Sequence, residues 1–256
     1  KGVEFLLKPD FGKVDRNVFL NALGQSFYSM SIGMGCICTY ASYFSRQTNL
    51  FKSALQISVI DLLVAVLAGL MIFPAAFSVG ISPDSGPSLI FITLPNVFNK
   101  AFAALPVLGW IISLLFYVLL SVAALTSLMS LHEVNTSFFY EELKIDRKKG
   151  AWIVTISCAV IGAFCSFSLG ATDKLSWFGK KLFDWFDFIT GQVFLPMAGL
   201  LTCLFLGWYV PKKILKDEFT NWGTLKGRLF GIYFFLIKFV CPILILLVFL
   251  NQFEVL

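Results

Sequence analysis

The chain has 256 residues, 58% of them hydrophobic, with a mean hydropathy of +0.83. A water-soluble domain does not carry this composition, and several apolar runs reach the roughly 20 residues that cross a bilayer as helix. The formal net charge of +5 gathers in short loops between those runs, so it reads as a topology signal and not as a nucleic-acid footprint.

In chain order, Lys1 to Arg16 is polar, contains a Pro9-Asp10 turn and reads as a loop. A chain that opens here without Met or signal peptide is expected to lack an upstream segment. Residues 17–44 form the first span. Its middle, Ser29-Met30-Ser31-Ile32-Gly33-Met34-Gly35, is a poor helix. Glycine costs roughly 1 kcal/mol against alanine in a helix interior, and serine offers the backbone a competing hydrogen bond. Two readings fit. One is a helix broken at mid-membrane, with two helix ends of opposite partial charge facing protein or a wet cavity. The other is an unbroken helix whose small residues let a neighbour approach.

The second span is 53–78 and carries one charge, Asp61. Residues 79–106 are mixed and proline-rich, and read as an extracellular helical lid, with a re-entrant segment as the rival. The third span, 107–143, begins apolar and ends at Glu141-Glu142. The remaining spans are 151–171, 182–210 and 228–249, separated by polar loops at 172–181 and 211–227. The expected class is therefore an all-α polytopic membrane protein, one bundle of six spans with the first broken. The loops after the first, third and fifth spans hold eleven Lys and Arg, against eight on the other side, which places the first set in the cytoplasm.

A carboxylate at Asp61 costs about 2.5–3.5 kcal/mol on insertion scales, so it is either functional or a partner to a neighbouring hydroxyl. Sodium, like calcium, is served by carboxylate, hydroxyl and carbonyl oxygens, and the broken span could supply them. Ala123-Ala124-Leu125-Thr126-Ser127 offers two hydroxyls among small residues; the plainer reading is helix contact with the hydroxyls bonded back to their own helix. Asp187 lies near the outer end of the fifth span, as an interfacial anchor or half of a gate. Tyr40, Tyr43, Glu141 and Glu142 fall toward the cytoplasmic span ends. The six cysteines all lie inside apolar runs and read as packed thiols. His132, the one histidine, makes no metal site alone and reads as a hydrogen-bonding partner within the bundle. With no catalytic set, phosphate loop or cofactor motif visible, an enzyme is not expected.

The segments NALGQSFYSMSIGMG and TYASY, DLLVAVLAGLMIFPA, FITLPNVF and AALTSLMSLHEV together resemble the neurotransmitter:sodium symporters, in the bacterial amino-acid transporter branch. The likeness runs through almost the whole chain, in order. It implies two inverted repeats of five helices, of which this chain would be the C-terminal portion, from the loop before the sixth helix to after the eleventh. The N-terminal half, with its own broken helix, would be a missing partner. The resemblance also implies sodium-coupled symport of an amino acid across the cytoplasmic membrane by alternating access.

By position, the resemblance puts Ser29 and Asp61 at one sodium site, and the Ala123 carbonyl with the Thr126 and Ser127 hydroxyls at a second. Tyr28, Ser31, Met34 and Leu131 would line the substrate pocket beside Ser127, and the apolar Met34 and Leu131 favour a large hydrophobic amino acid. Asp187 would be the outer-gate acid, with Glu141 near Tyr43 at the cytoplasmic gate. Ala65 falls where chloride-independent members carry an acid; Asp61, beside Gln25, could supply that charge, so chloride independence is expected. The rivals are a membrane scaffold that moves nothing and a sodium-linked channel; no pore-lining charge ring supports the channel.

Overall fold

The computed structural model describes residues 2–8, 10–45, 48–78, 80, 89–170, 176–177 and 180–252. It is almost entirely helical, with one short antiparallel ladder, Ser176–Trp177 against Lys180–Lys181. Five helices among the described residues are long and apolar enough to cross a membrane: Leu50–Ser78, Pro106–Glu141, Arg147–Ser168, Leu182–Tyr209 and Gly227–Asn251. Their surfaces fit lipid or protein, not water: Leu119 is 68% exposed and Met129 70%. The protein is a multi-pass membrane protein.

The expected first span is two helices, α2 (Arg16–Ser29) and α3 (Cys36–Ser42). Asp15 caps α2 by accepting from the Val18 amide at 2.8 Å. The second to sixth spans follow as α4 (Leu50–Ser78), α6 (Pro106–Glu141), α7 (Arg147–Gly170) and two interrupted helices. The first of these comprises α8 (Leu182–Asp187) and α9 (Leu195–Leu204), with wide π-helical turns at Phe188–Phe194 and Phe205–Tyr209. The second comprises α11 (Phe230–Phe235) and α12 (Cys241–Gln252) around another such turn at Leu236–Val240.

Two stretches read as loops are partly helical. Within Lys1 to Arg16 lies α1 (Gly2–Leu7), whose Phe5 ring meets Phe73 and Phe77 of α4 at centroid distances of 5.2 and 5.4 Å. Within residues 211–227 lies α10 (Lys212–Phe219), whose Phe219 stacks on Tyr233 at 5.1 Å. Each is a short amphipathic piece, and its partner aromatic is remote in sequence. Of the lid, a π-helical turn at Leu89–Thr93 and α5 (Leu94–Ala101) are described; residues 79 and 81–88 lie outside the described residues.

The chain divides into two compact units. Unit 1 is Lys1–Val14 with Gln56–Leu128. Leu94 and Val97 of α5 are 3% and 1% exposed, Phe98 meets Phe116 at 5.5 Å, and the Tyr117 hydroxyl donates to the Ile90 carbonyl at 2.7 Å. These contacts fasten α5 to α6. Unit 2 is Asp15–Leu55 with Met129–Leu256. Its core is where α2, α9 and α12 meet, with Leu20, Leu195, Ile245 and Val248 all buried. Gly199 of α9 makes the close packing there workable: a Cβ would lie 3.2 Å from Phe27 Cε1 and 3.8 Å from Ile245 Cδ1.

Candidate functional site

In unit 2 the break between α2 and α3 is built from unusual backbone. Ser31 has φ +52°, Gly33 +89° and Gly35 +82°, all in the left-handed region. Glycine adopts it freely, whereas at Ser31 it is strained. The amides of Met30, Ser31 and Ile32 bond the Ser26, Tyr28 and Phe27 carbonyls, which closes the end of α2. The Gly35 carbonyl accepts from Thr39 at 2.9 Å and opens α3. At Gly33 the break is pressed on α9, where a Cβ would lie 2.5 Å from the Leu195 carbonyl oxygen. Poor helix-forming residues thus do break the helix, and α9 holds the break in shape.

Four of the residues that the resemblance singled out sit at this break. Tyr28 and Ser29 end α2 and are exposed; Ser31 and Met34 are half-buried within the break. Leu131, 41% exposed, lies on α6. Its neighbourhood is tied to the second half-helix, because the Tyr40 hydroxyl of α3 donates to Ser130 Oγ. A Cβ at Gly35 would lie 3.2 Å from Val134 Cγ1. The break and this part of α6 therefore stand side by side within unit 2.

Unit 1 carries the other residues that the resemblance assigned to sodium. Asp61 is half-buried on α4. Ala123, Thr126 and Ser127 are exposed on α6. The Thr126 hydroxyl donates to the Ala123 carbonyl at 2.7 Å, the back-bonded arrangement of the plainer reading. A threonine hydroxyl that has given its proton can still accept, so this bond by itself does not exclude a cation at Thr126 Oγ1. The Ala123 carbonyl is different: the helix and Thr126 both claim it, and a cation there would have to displace the hydroxyl proton. Among the described residues no group of three His, Cys, Asp or Glu side chains could hold a transition metal.

At the far end of α6, Tyr43 meets an acid the sequence reading did not single out. Its hydroxyl donates to Glu133 Oε1 at 2.7 Å and lies 3.0 Å from Ser137 Oγ. Arg147, at the start of α7, donates to the same oxygen at 2.6 Å. Ser137 Oγ also donates to Glu133 Oε1, at 3.4 Å, and the Glu133 side chain is only 22% exposed, so this is a charge held by three donors in a partly dry place. Glu141 is the exposed last residue of α6, eight positions or about 12 Å along the helix from Glu133. Asp187 is the exposed last residue of α8 and makes no ion pair among the described residues.

His132 is a bundle partner. Thr155 Oγ1 donates to the Ala151 carbonyl at 2.8 Å, so its contact with His132 Nε2 at 3.0 Å is accepted from the ring. The other ring nitrogen, Nδ1, lies 3.2 Å from Thr136 Oγ1.

The sequence matches the sodium:neurotransmitter symporter family over residues 1–256. It is 36% identical over 252 residues to the uncharacterized sodium-dependent transporter YhdH of Bacillus subtilis, covering 98% of this chain and 54% of that protein. A sodium-dependent nutrient amino acid transporter 1 of Drosophila persimilis is 27% identical over 179 residues, 66% of this chain and 26% of that protein. The crystal structure of MhsT in complex with L-phenylalanine superposes with a TM-score of 0.84 and 36% identity, over 98% of this chain and 56% of that one. The chain spans about half the length of the bacterial relatives it matches, which fits the C-terminal portion of the inverted-repeat fold implied by the resemblance. With the match complete along its length, its helices in that fold and its span broken at Ser29–Cys36, the chain belongs to the sodium:neurotransmitter symporter family.

Proposed function

We propose that this chain is the sodium- and substrate-handling part of a sodium-coupled amino-acid symporter of the cytoplasmic membrane, working by alternating access. The observation that carries the reading is the interrupted helix α2–α3, fixed on α9 through Gly33 and set against α6 where Gly35 approaches Val134. Helix ends at this depth present carbonyls to a cation and amides to a carboxylate. By the resemblance, Ser29 would serve sodium, and Tyr28, Ser31, Met34 and Leu131 the substrate. Asp61, the Ala123 carbonyl, Thr126 and Ser127 would likewise serve sodium, with Ser127 also assigned to the substrate. Met34 and Leu131 make a large apolar amino acid the preferred cargo, and the phenylalanine bound to MhsT supports that class. Asp187 would act in the outer gate; Tyr43 and Glu141, now joined by Glu133 and Arg147, would act in the inner one.

Sodium and substrate would each raise the other's affinity by the same factor. The test is uptake of labelled phenylalanine, leucine and a polar amino acid into proteoliposomes holding the full-length protein. Saturable uptake that needs an inward sodium gradient supports the proposal. Binding without flux would favour a scaffold, and non-saturating flux a channel.

A further inference from the structure

Lys238 stands inside the last span, where a charge is costly. It lies in the wide turn Leu236–Val240, directly against the wide turn Phe205–Tyr209. The two backbones nearly touch: a Cβ at Gly207 would lie 2.9 Å from Lys238 Cα. The Trp208 indole donates to the Lys238 carbonyl at 3.3 Å, so the wide turn's backbone is partnered at this point. The Lys238 ammonium rests 4.4 Å from the Trp208 ring centre and 5.7 Å from that of Phe234. Such contacts shelter a cation without neutralising it.

A second cation shares the place. Lys212, exposed at the start of α10, holds its ammonium 5.0 Å from the same Phe234 ring. Neither lysine has an ion-pair partner among the described residues, although Asp217 and Glu218 lie on α10 itself. Two ammonium groups against one ring, neither in an ion pair, raise the local positive potential and favour an anion there. The location says which anion. Trp208 is 62% exposed beside the basic loop that follows it, a residue type that gathers at headgroup depth. Side chains on a helix lean toward its N-terminus, so Lys238 reaches along α11 toward that same basic end.

We infer that Lys238, Lys212 and Trp208 form a binding site for the headgroup phosphate of an anionic phospholipid, on the bilayer-facing side of the last two spans. The phosphate bridges the two ammonium groups, and the Trp208 face and Gly207–Lys238 contact hold Lys238 in place to receive it. The site is separate from the sodium and substrate residues and does not depend on their roles.

The experiment places the full-length protein in nanodiscs of phosphatidylcholine with admixed phosphatidylglycerol and counts the lipids retained by native mass spectrometry. The wild type retains phosphatidylglycerol preferentially, and added salt weakens the preference. Lys238→Gln reduces it about fivefold, and Lys212→Gln by a similar factor, since each lysine near a membrane surface contributes comparably. Lys238→Arg keeps most of it. Lys212→Gln, at an exposed position, carries the test if Lys238→Gln does not fold. The proposal is overturned by any of three results: no preference in the wild type, as when another part of the protein neutralises Lys238; an unchanged preference in both glutamine variants; or equal displacement by soluble glycerol phosphate, which would make the ligand a free anion.

Discussion

Gly33→Ala should disable the protein, and the reason can be worked through. At φ +89° an alanine pays about 1–2 kcal/mol for its Cβ in left-handed backbone. That Cβ would also lie 2.5 Å from the Leu195 carbonyl oxygen and 3.2 Å from the Gly199 amide nitrogen. Both are backbone atoms of α9, which is packed on α12, so neither can rotate aside. Overpacking of this kind adds about 1–3 kcal/mol. A total near 3 kcal/mol is a loss of about a hundredfold or more in an equilibrium constant. Gly35→Ala is the internal control. Its φ is similar at +82°, but the new Cβ would meet only the Val134 Cγ1 methyl, at 3.2 Å, and a side chain can yield. It should cost about 1–2 kcal/mol, the backbone part alone. The assay is thermal unfolding of the full-length protein in detergent, paired with sodium-dependent substrate binding. A Gly33→Ala protein that melts and binds like wild type, or a Gly35→Ala protein equally damaged, would refute the argument that α9 sets the shape of the break.

Further outcomes follow from the other sites. Asp61→Ala should weaken sodium-dependent substrate binding by one to several kcal/mol, on the order seen when a buried charge loses its partner; sodium titrations would show it, and replacing chloride by gluconate should leave wild-type uptake unchanged. Thr126→Val, which keeps shape but removes the hydroxyl, should raise the sodium concentration for half-maximal uptake by about tenfold, as for loss of one charge-assisted contact of about 1.5 kcal/mol, whereas Thr126→Ser should come close to wild type. A double-mutant cycle of Tyr43→Phe with Glu133→Gln should give a coupling of about 1–2 kcal/mol in thermal stability, while Tyr43→Phe with Glu141→Gln should give none.

The apolar runs made helices legible at these places, and α4 begins at Leu50 where the reading from the sequence starts at 53. The break was legible too, because Ser29 to Gly35 combines residues that disfavour helix for separate local reasons. What escaped the sequence depends on remote partners. The loop reading of α1 failed because Phe5 finds Phe73 and Phe77 some seventy positions later. Tyr43 and Glu133 are ninety positions apart, and nothing in either neighbourhood announces the bond. Glu141 was singled out by its place at a span end, yet the acid that meets Tyr43 lies two turns earlier on the same helix. Lys238 stands as a charge within the apolar run 228–249, but its aromatic surroundings need the pairing of two wide turns.

Those wide turns have a consequence for how this chain can vary. A π-helical turn accommodates one residue more than an α-helical turn, and each α-helical residue advances by 100°. Removing a single residue from Phe205–Tyr209 or Leu236–Val240 would let the ordinary spiral re-form with the turns on either side still in phase. The same deletion from a regular α-helical stretch would swing everything beyond it by about that angle, so that side chains on one flank pointed to a different neighbour. In these two spans the damage from a one-residue deletion should therefore depend on where it falls, although the hydrophobic profile would hardly record the difference.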